Sequence, residues 1–256
     1  MSDFAASLPE PVSPTTIPRS RLFAMFGIAV VLSVGLGMVS WGGQVIYPFR
    51  LFATWAHEMG HGIGGILTGN TFVDLELYQN LGGQARIAGA SGISQVIVSS
   101  LGLIGPAILG AIVMVLGSRA KTAPYVLGAL AVFAVVSAFL WIRNTFGFVS
   151  ILIIGVALAL FAKFAPATAR VVMAQLLAVQ LALSAWSSRD YLFIAGFERD
   201  GTFFDSDTQN IADELFLPFW FWGGLLGGLS ILILVVAFWW AWIKPLMAQA
   251  VSQGAA

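Results

Sequence analysis

The sequence predicts an all-α polytopic membrane protein of about seven transmembrane helices, with a short β-hairpin or strand after the second of them. Three observations carry this. Hydrophobic residues make up 59% of the 256 and charged residues only 9%, with a mean hydropathy of +0.91, whereas soluble domains average about 25% charged. The apolar residues fall in runs long enough to cross a hydrocarbon layer of about 30 Å, each closed by glycine, proline or charge. One stretch, 71–87, departs from the pattern by alternating apolar and polar residues.

Residues 1–20 hold Pro9, Pro11, Pro14 and Pro18 among serines and threonines, a composition that buries no core and reads as a flexible arm. The apolar run after it is too long for a cleavable signal peptide and lacks a clear small-residue cleavage site. The transmembrane domain, 21–244, opens with a first span at 22–41. Gly42-Gly43-Gln44 reads as a tight turn and 45–67 as the second span. Arg50 near its start either snorkels to the interface or pairs with an acid. In 71–87, Val73, Leu75 and Leu77 alternate with Asp74, Glu76 and Tyr78, the period of a strand. Asn80-Leu81-Gly82-Gly83 supplies a turn, and 84–87 returns as a second strand unless the stretch is a surface loop.

The third span is 93–117, with Gly105-Pro106 inside it, tolerated where neighbours satisfy the freed carbonyl. The fourth is 123–142, closed by Arg143-Asn144; the fifth is 146–161; the sixth is 169–186. A polar segment, 187–214, follows. The seventh span, 217–243, places Trp220, Trp222, Trp239, Trp240 and Trp242 near its ends as interfacial anchors. Residues 245–256 form a C-terminal tail, and no internal repeat or second domain is visible.

The only two histidines of the chain, His57 and His61, lie four apart in the second span, with Glu58 directly after the first. On a helix these positions share a face, so both imidazoles reach one ion. This is the HExxH arrangement. Zinc takes imidazole nitrogen, keeps one position open for water in catalytic sites, and leaves the glutamate to accept that water's proton. With histidine and charge so scarce, chance placement would be a rare coincidence, and ionisable groups inside hydrocarbon are costly unless compensated. The glycines Gly60, Gly62, Gly64 and Gly65 let another backbone approach, so this helix is central.

The charge balance, 12 basic against 12 acidic, argues against a nucleic-acid partner. The lack of cysteine removes disulfides and thiolate ligands, so a third ligand must be oxygen. Seven spans put the motif end of the second helix, the hairpin, Asn144 and the 187–214 segment on one membrane face. The twelve basic residues divide evenly between the faces and give no orientation. No acid occurs between Glu76 and Asp190, and parity lets the later cluster reach the histidines. Asp190, at the end of the sixth span, and Asp207, before Ile211 and Ala212, are the two candidates. A solvated acid at a span end and a helix N-cap are their structural alternatives.

His57-Glu58-Met59-Gly60-His61 in an apolar span, a strand-like loop, and Gly105-Pro106 in another span together resemble the site-2 protease family of intramembrane zinc metalloproteases. Tyr47-Pro48-Phe49, Trp55-Ala56-His57-Glu58, Arg143-Asn144, Arg189-Asp190-Tyr191-Leu192 and Ser206-Asp207-Thr208 carry a similarity to its bacterial M50B-like peptidase branch across most of the chain. The family's third ligand is an aspartate in a Leu-Asp-Gly motif, which this sequence lacks. By order and by the apolar residue four positions on, the resemblance carries that role to Asp207, with Asp190 in reserve. Leu109 occupies the position where the family's Gly-Pro motif has an asparagine, and Asn144 either replaces that amide donor or serves as an interfacial cap at its span end.

What the resemblance implies is a Zn2+-dependent endopeptidase in the lipid bilayer, of the bacterial inner membrane, acting on transmembrane protein substrates near the cytosolic face. Glu58 would be the base, His57, His61 and Asp207 the metal ligands, and the strand containing Val73, Asp74 and Leu75, with Asn144, the substrate-binding part. Two other classes are weighed against it. A catalytically silent relative that binds partner transmembrane segments is supported by the missing Leu-Asp-Gly. A transporter would need polar residues spread along its spans, and those from 93 to 186 are nearly free of charge.

Overall fold

A computed structural model of the chain describes residues 19–187, 192–199 and 201–254. Residues 1–18 of the expected arm and Asp190 lie outside the described residues, and the arm's last two residues, 19 and 20, are helical. Seven long helices occupy the expected places: α1 (Arg19–Met38), α2 (Gly42–Leu67), α3 (Ile93–Gly117), α4 (Ala123–Leu140), α5 (Thr145–Phe164), α6 (Ala167–Ser187) and α8 (Phe219–Phe238). Between α2 and α3 lies the antiparallel hairpin β1 (Thr71–Leu77) and β2 (Gly83–Ala88). Between α6 and α8 come a second hairpin, β3 (Gly196–Arg199) with β4 (Thr202–Asp205), and the short helix α7 (Asp207–Glu214). The polar segment thus contains a hairpin and a short helix. After α8 the chain makes one π-helical turn, Trp239–Ile243, with Lys244 N–H donating to the Trp239 carbonyl, and continues as α9 (Lys244–Gly254) through the expected tail.

Six of these helices are long and apolar enough to cross a membrane, the last running on through the π turn. The protein is an integral, multi-pass membrane protein. α2 is the exception in composition. Arg50, His57, Glu58 and His61 make it less apolar than a lipid-facing helix, and the fold accommodates this by wrapping it with α1, α3, α6 and both strands of the first hairpin. Its start corrects the sequence reading. Gly42 is not in the turn but is the first helical residue, because α1 and α2 meet there: a Cβ on Gly42 would lie 1.9 Å from the Leu36 carbonyl oxygen.

In lipid, helices gain little from hiding apolar surface from one another, so close van der Waals packing holds them. α2 and α3 show how. A Cβ on Gly60 would sit 2.2 Å from the Leu101 carbonyl oxygen, so only glycine permits this approach. On the opposite side Trp55 is fully buried between Phe52 and Phe133 and donates its indole N–H to Ser137 Oγ at 2.9 Å. That hydroxyl donates in turn to the Ala134 carbonyl at 2.8 Å, which leaves no loose polar end in the contact.

The first hairpin is fixed on both sides. Tyr47 Oη donates to Gln79 O and Thr54 Oγ1 to Leu81 O, each at 2.9 Å, tying its turn to α2. The ring of Phe72 stacks on Trp141 at 4.9 Å. β1 carries a bulge at Val73, and the expected alternation breaks there: Val73 is exposed while Asp74 is buried, and only Leu75 and Leu77 keep the inward face. Asp74 pairs with Arg86 directly across the hairpin, and this hydrogen-bonded carboxylate pushes the exposed guanidinium's pKa up from its ordinary value.

Candidate metal centre

His57 and His61 project from one face of α2 with their rings 4.7 Å apart and nearly perpendicular. Their Nε2 atoms are separated by 3.2 Å. Asp207 Oδ2 lies 3.3 Å from Nε2 of His57 and 3.4 Å from that of His61. The aspartate arrives from the far end of the sequence because α7 is locked in place. Ser206 is its N-cap, accepting from Gln209 N–H at 3.1 Å, and is itself buried, with its hydroxyl donating to Ile194 O at 2.7 Å and its N–H to Ala195 O at 2.9 Å. One turn on, Ile211 is fully buried in a cluster with Leu103, Leu192 and Leu226. The sequence alternatives thus separate cleanly, with Ser206 taking the cap and Asp207 the inward position.

Whether such a trio suits a metal is decided by its lone pairs. His61 Nδ1 lies 3.0 Å from the carbonyl of Val98 on α3, an acceptor that fixes the proton on Nδ1 and leaves the lone pair on Nε2. That lone pair faces a second imidazole nitrogen and a carboxylate oxygen, an arrangement that is repulsive without a positive charge in its midst. Donors at about 2.0–2.1 Å from a tetrahedral ion lie roughly 3.3 Å from each other. The spacings of 3.2, 3.3 and 3.4 Å match that. His57, His61 and Asp207 are the group among the described residues that could hold a metal ion.

Space for the second imidazole comes from a glycine the sequence reading passed over. A Cβ on Gly102 of α3 would lie 2.1 Å from His61 Cε1. Gly102→Ala is therefore expected to swing the ring away and weaken metal binding at least about tenfold, the scale of losing an outer-shell support. Metal titration followed by mass spectrometry checks this, with helicity by circular dichroism as the control. Full affinity in a folded Gly102→Ala protein would contradict it.

Glu58, between the two ligand positions, turns to another wall. Its carboxylate is buried and receives the backbone N–H of Ala85 on β2, and a Cβ on Gly83 would come within 2.5 Å of its Oε1. The strand therefore lies directly against the acid, which fixes where the hairpin has an open edge. Leu75 gives its N–H to Trp141 O at 2.9 Å and accepts from Arg143 N–H at 3.1 Å. Leu77 is clasped by Asn144, whose Nδ2 donates to Leu77 O at 2.6 Å while Oδ1 accepts Leu77 N–H at 3.2 Å. Both edges of β1 are thus taken, so the strand at 72–78 is not the one with free edge groups, and Asn144 spends its amide on closing it. Ala85 and Gly83 sit opposite Leu75 and Leu77. In such pairs the backbone groups point outward, which directs those of β2 away from β1 and toward Glu58.

Glu58, His57 and Gly83 line a cleft of about 1120 Å³ bounded by α1, α2, α3, α6 and α8. It opens among the helices. The arrangement offers a carboxylate base, a trio of metal-type donors and a strand edge on one wall of one cleft.

A family model described as Peptidase M50B-like matches residues 25–241. No curated protein and no solved structure matches the chain.

Proposed function

Since the chain belongs to the Peptidase M50B-like family, we propose that it is a zinc metalloprotease of the membrane, hydrolysing peptide bonds in or near membrane-spanning segments of other proteins. The observation that carries this is the meeting of His57, His61 and Asp207 beside Glu58 in a cleft between helices. His57, His61 and Asp207 would hold the ion, and Asp207 would take the place of the absent Leu-Asp-Gly aspartate. Zinc, when bound there, supplies a Lewis acid that acidifies water and polarises a carbonyl.

The chain's own residues do the rest. Glu58 accepts one proton of the attacking water and later delivers it to the leaving amine nitrogen, so the carboxylate is regenerated as the C–N bond breaks. Its burial against β2 keeps that carboxylate in one position. A helical substrate hides its carbonyls in its own hydrogen bonds, so the scissile stretch must unwind, and the outward groups of β2 other than the Ala85 N–H, which Glu58 holds, offer it a strand to pair with. This edge takes over the role first expected of Val73, Asp74 and Leu75. The N-terminal arm would lie on the site's side of the membrane, the cytosol.

Metal removal tests the reading. Zinc-loaded protein is expected to cut a labelled transmembrane peptide in bicelles, to stop when a chelator has stripped the metal, and to resume when zinc is returned. Cleavage that persists in fully metal-free protein would contradict it.

A further inference from the structure

The walls of the cleft are mainly apolar, yet two of their polar groups are buried and unmatched. Gln180 on α6 is 4% exposed, and its side-chain nitrogen has no hydrogen-bond partner among the described residues. Ser33 on α1 is 3% exposed, with its hydroxyl likewise unpaired. Both line the cleft that holds His57 and Glu58. Among the described residues Gln175 Oε1, Arg170 Nε and Trp242 Nε1 are also buried without a partner, so what sets Gln180 and Ser33 apart is that they line the cleft. A donor left without an acceptor between membrane spans costs free energy that leucine in its place would not. At Gln180 and Ser33 that cost falls in the wall of a cleft, where a ligand can meet it.

The ligand chemistry follows from the place. A helix crossing the bilayer has its carbonyls already bonded, whereas a stretch that has come unwound presents bare carbonyl oxygens and has no water to satisfy them. We propose that Gln180, assisted by Ser33, binds main-chain carbonyls of the unwound substrate segment and holds it in the cleft beside Glu58. This names a substrate-binding residue on a helix that carries none of the metal-site groups, and it rests on the proteolytic reading above. It also supplies a donor where Asn144 cannot, since that amide is committed to Leu77.

Binding of a dye-labelled transmembrane peptide with a central Asn-Pro break to zinc-loaded Glu58→Gln protein isolates the step. Gln180→Leu in that background is expected to raise Kd roughly three- to tenfold, the worth of one hydrogen bond. Its Tm should stay level or rise, because an unmatched amide has been removed. Gln180→Met, closer in shape, repeats the comparison. In the active protein the same substitution raises KM and leaves kcat nearly unchanged, the signature of binding lost equally from ground and transition states. Unchanged Kd, or a Tm that falls in step with binding, would overturn the assignment. Protein that binds the peptide through Gln180 but never cuts it would remove the proteolytic reading and leave Gln180 standing. Protein that cuts with the same KM after Gln180→Leu would do the reverse.

Discussion

Glu58→Gln is expected to slow peptide cleavage by about 10²–10⁴-fold, the usual worth of a positioned base, with zinc still bound. The substitution is nearly isosteric, which matters because Glu58 is packed against β2 so closely that Gly83 has no room for a Cβ. A neutral amide keeps the contact with the strand and the orientation of α2, so His57 and His61 stay where they are. What it loses is the capacity to take a proton from water. Single-turnover cleavage of a labelled transmembrane peptide, with zinc measured in the same sample, separates the two effects. Wild-type rates in the glutamine variant would remove Glu58 from the chemistry, and loss of zinc would assign it a structural part.

The second large effect is on the metal itself. Asp207→Ala is expected to weaken zinc binding by more than about 100-fold, because outer-shell partners alone are worth 10–100-fold and this is a direct donor. The helix that presents it should survive. Ser206 still caps α7 and Ile211 still anchors it, so the trio loses one arm without losing its frame. Competition with a fluorescent chelator measures the affinity. Retention of tight zinc by folded Asp207→Ala protein would show that another oxygen serves.

Much of this was legible in the chain, for reasons that can be named. His57, Glu58 and His61 stood out because the sequence has no other histidine and few charges, so their register carried information. The long helices were legible because hydrocarbon demands unbroken apolar runs. Asp207 could be reached only by elimination together with the family pattern, since nothing local tells an N-cap from the ligand next to it. The structure separates them by burying Ser206 as the cap. Which edge of the hairpin stays open was not legible, for a specific reason. Val73, Leu75 and Leu77 reveal a strand, but which of its edges is covered depends on Trp141, Arg143 and Asn144, residues far along the chain whose pairing with β1 leaves no periodic trace. The bulge at Val73 was hidden in the same way. Gly83 was legible only as a turn residue, and Gly102 and Gln180 gave no signal of their contacts. A glycine needed for contact looks like any other glycine in a sequence that has 28 of them.

Two imidazoles and a carboxylate, drawn together from opposite ends of the domain, form a group that could hold a divalent ion. X-ray absorption at the zinc edge on purified, zinc-replete protein addresses it directly. The expected spectrum has two imidazole nitrogens at about 2.0–2.1 Å together with oxygen neighbours, and both imidazole signals fall away in His57→Ala/His61→Ala protein. Protein that takes up no zinc, or whose zinc shows no imidazole scattering, would contradict the account.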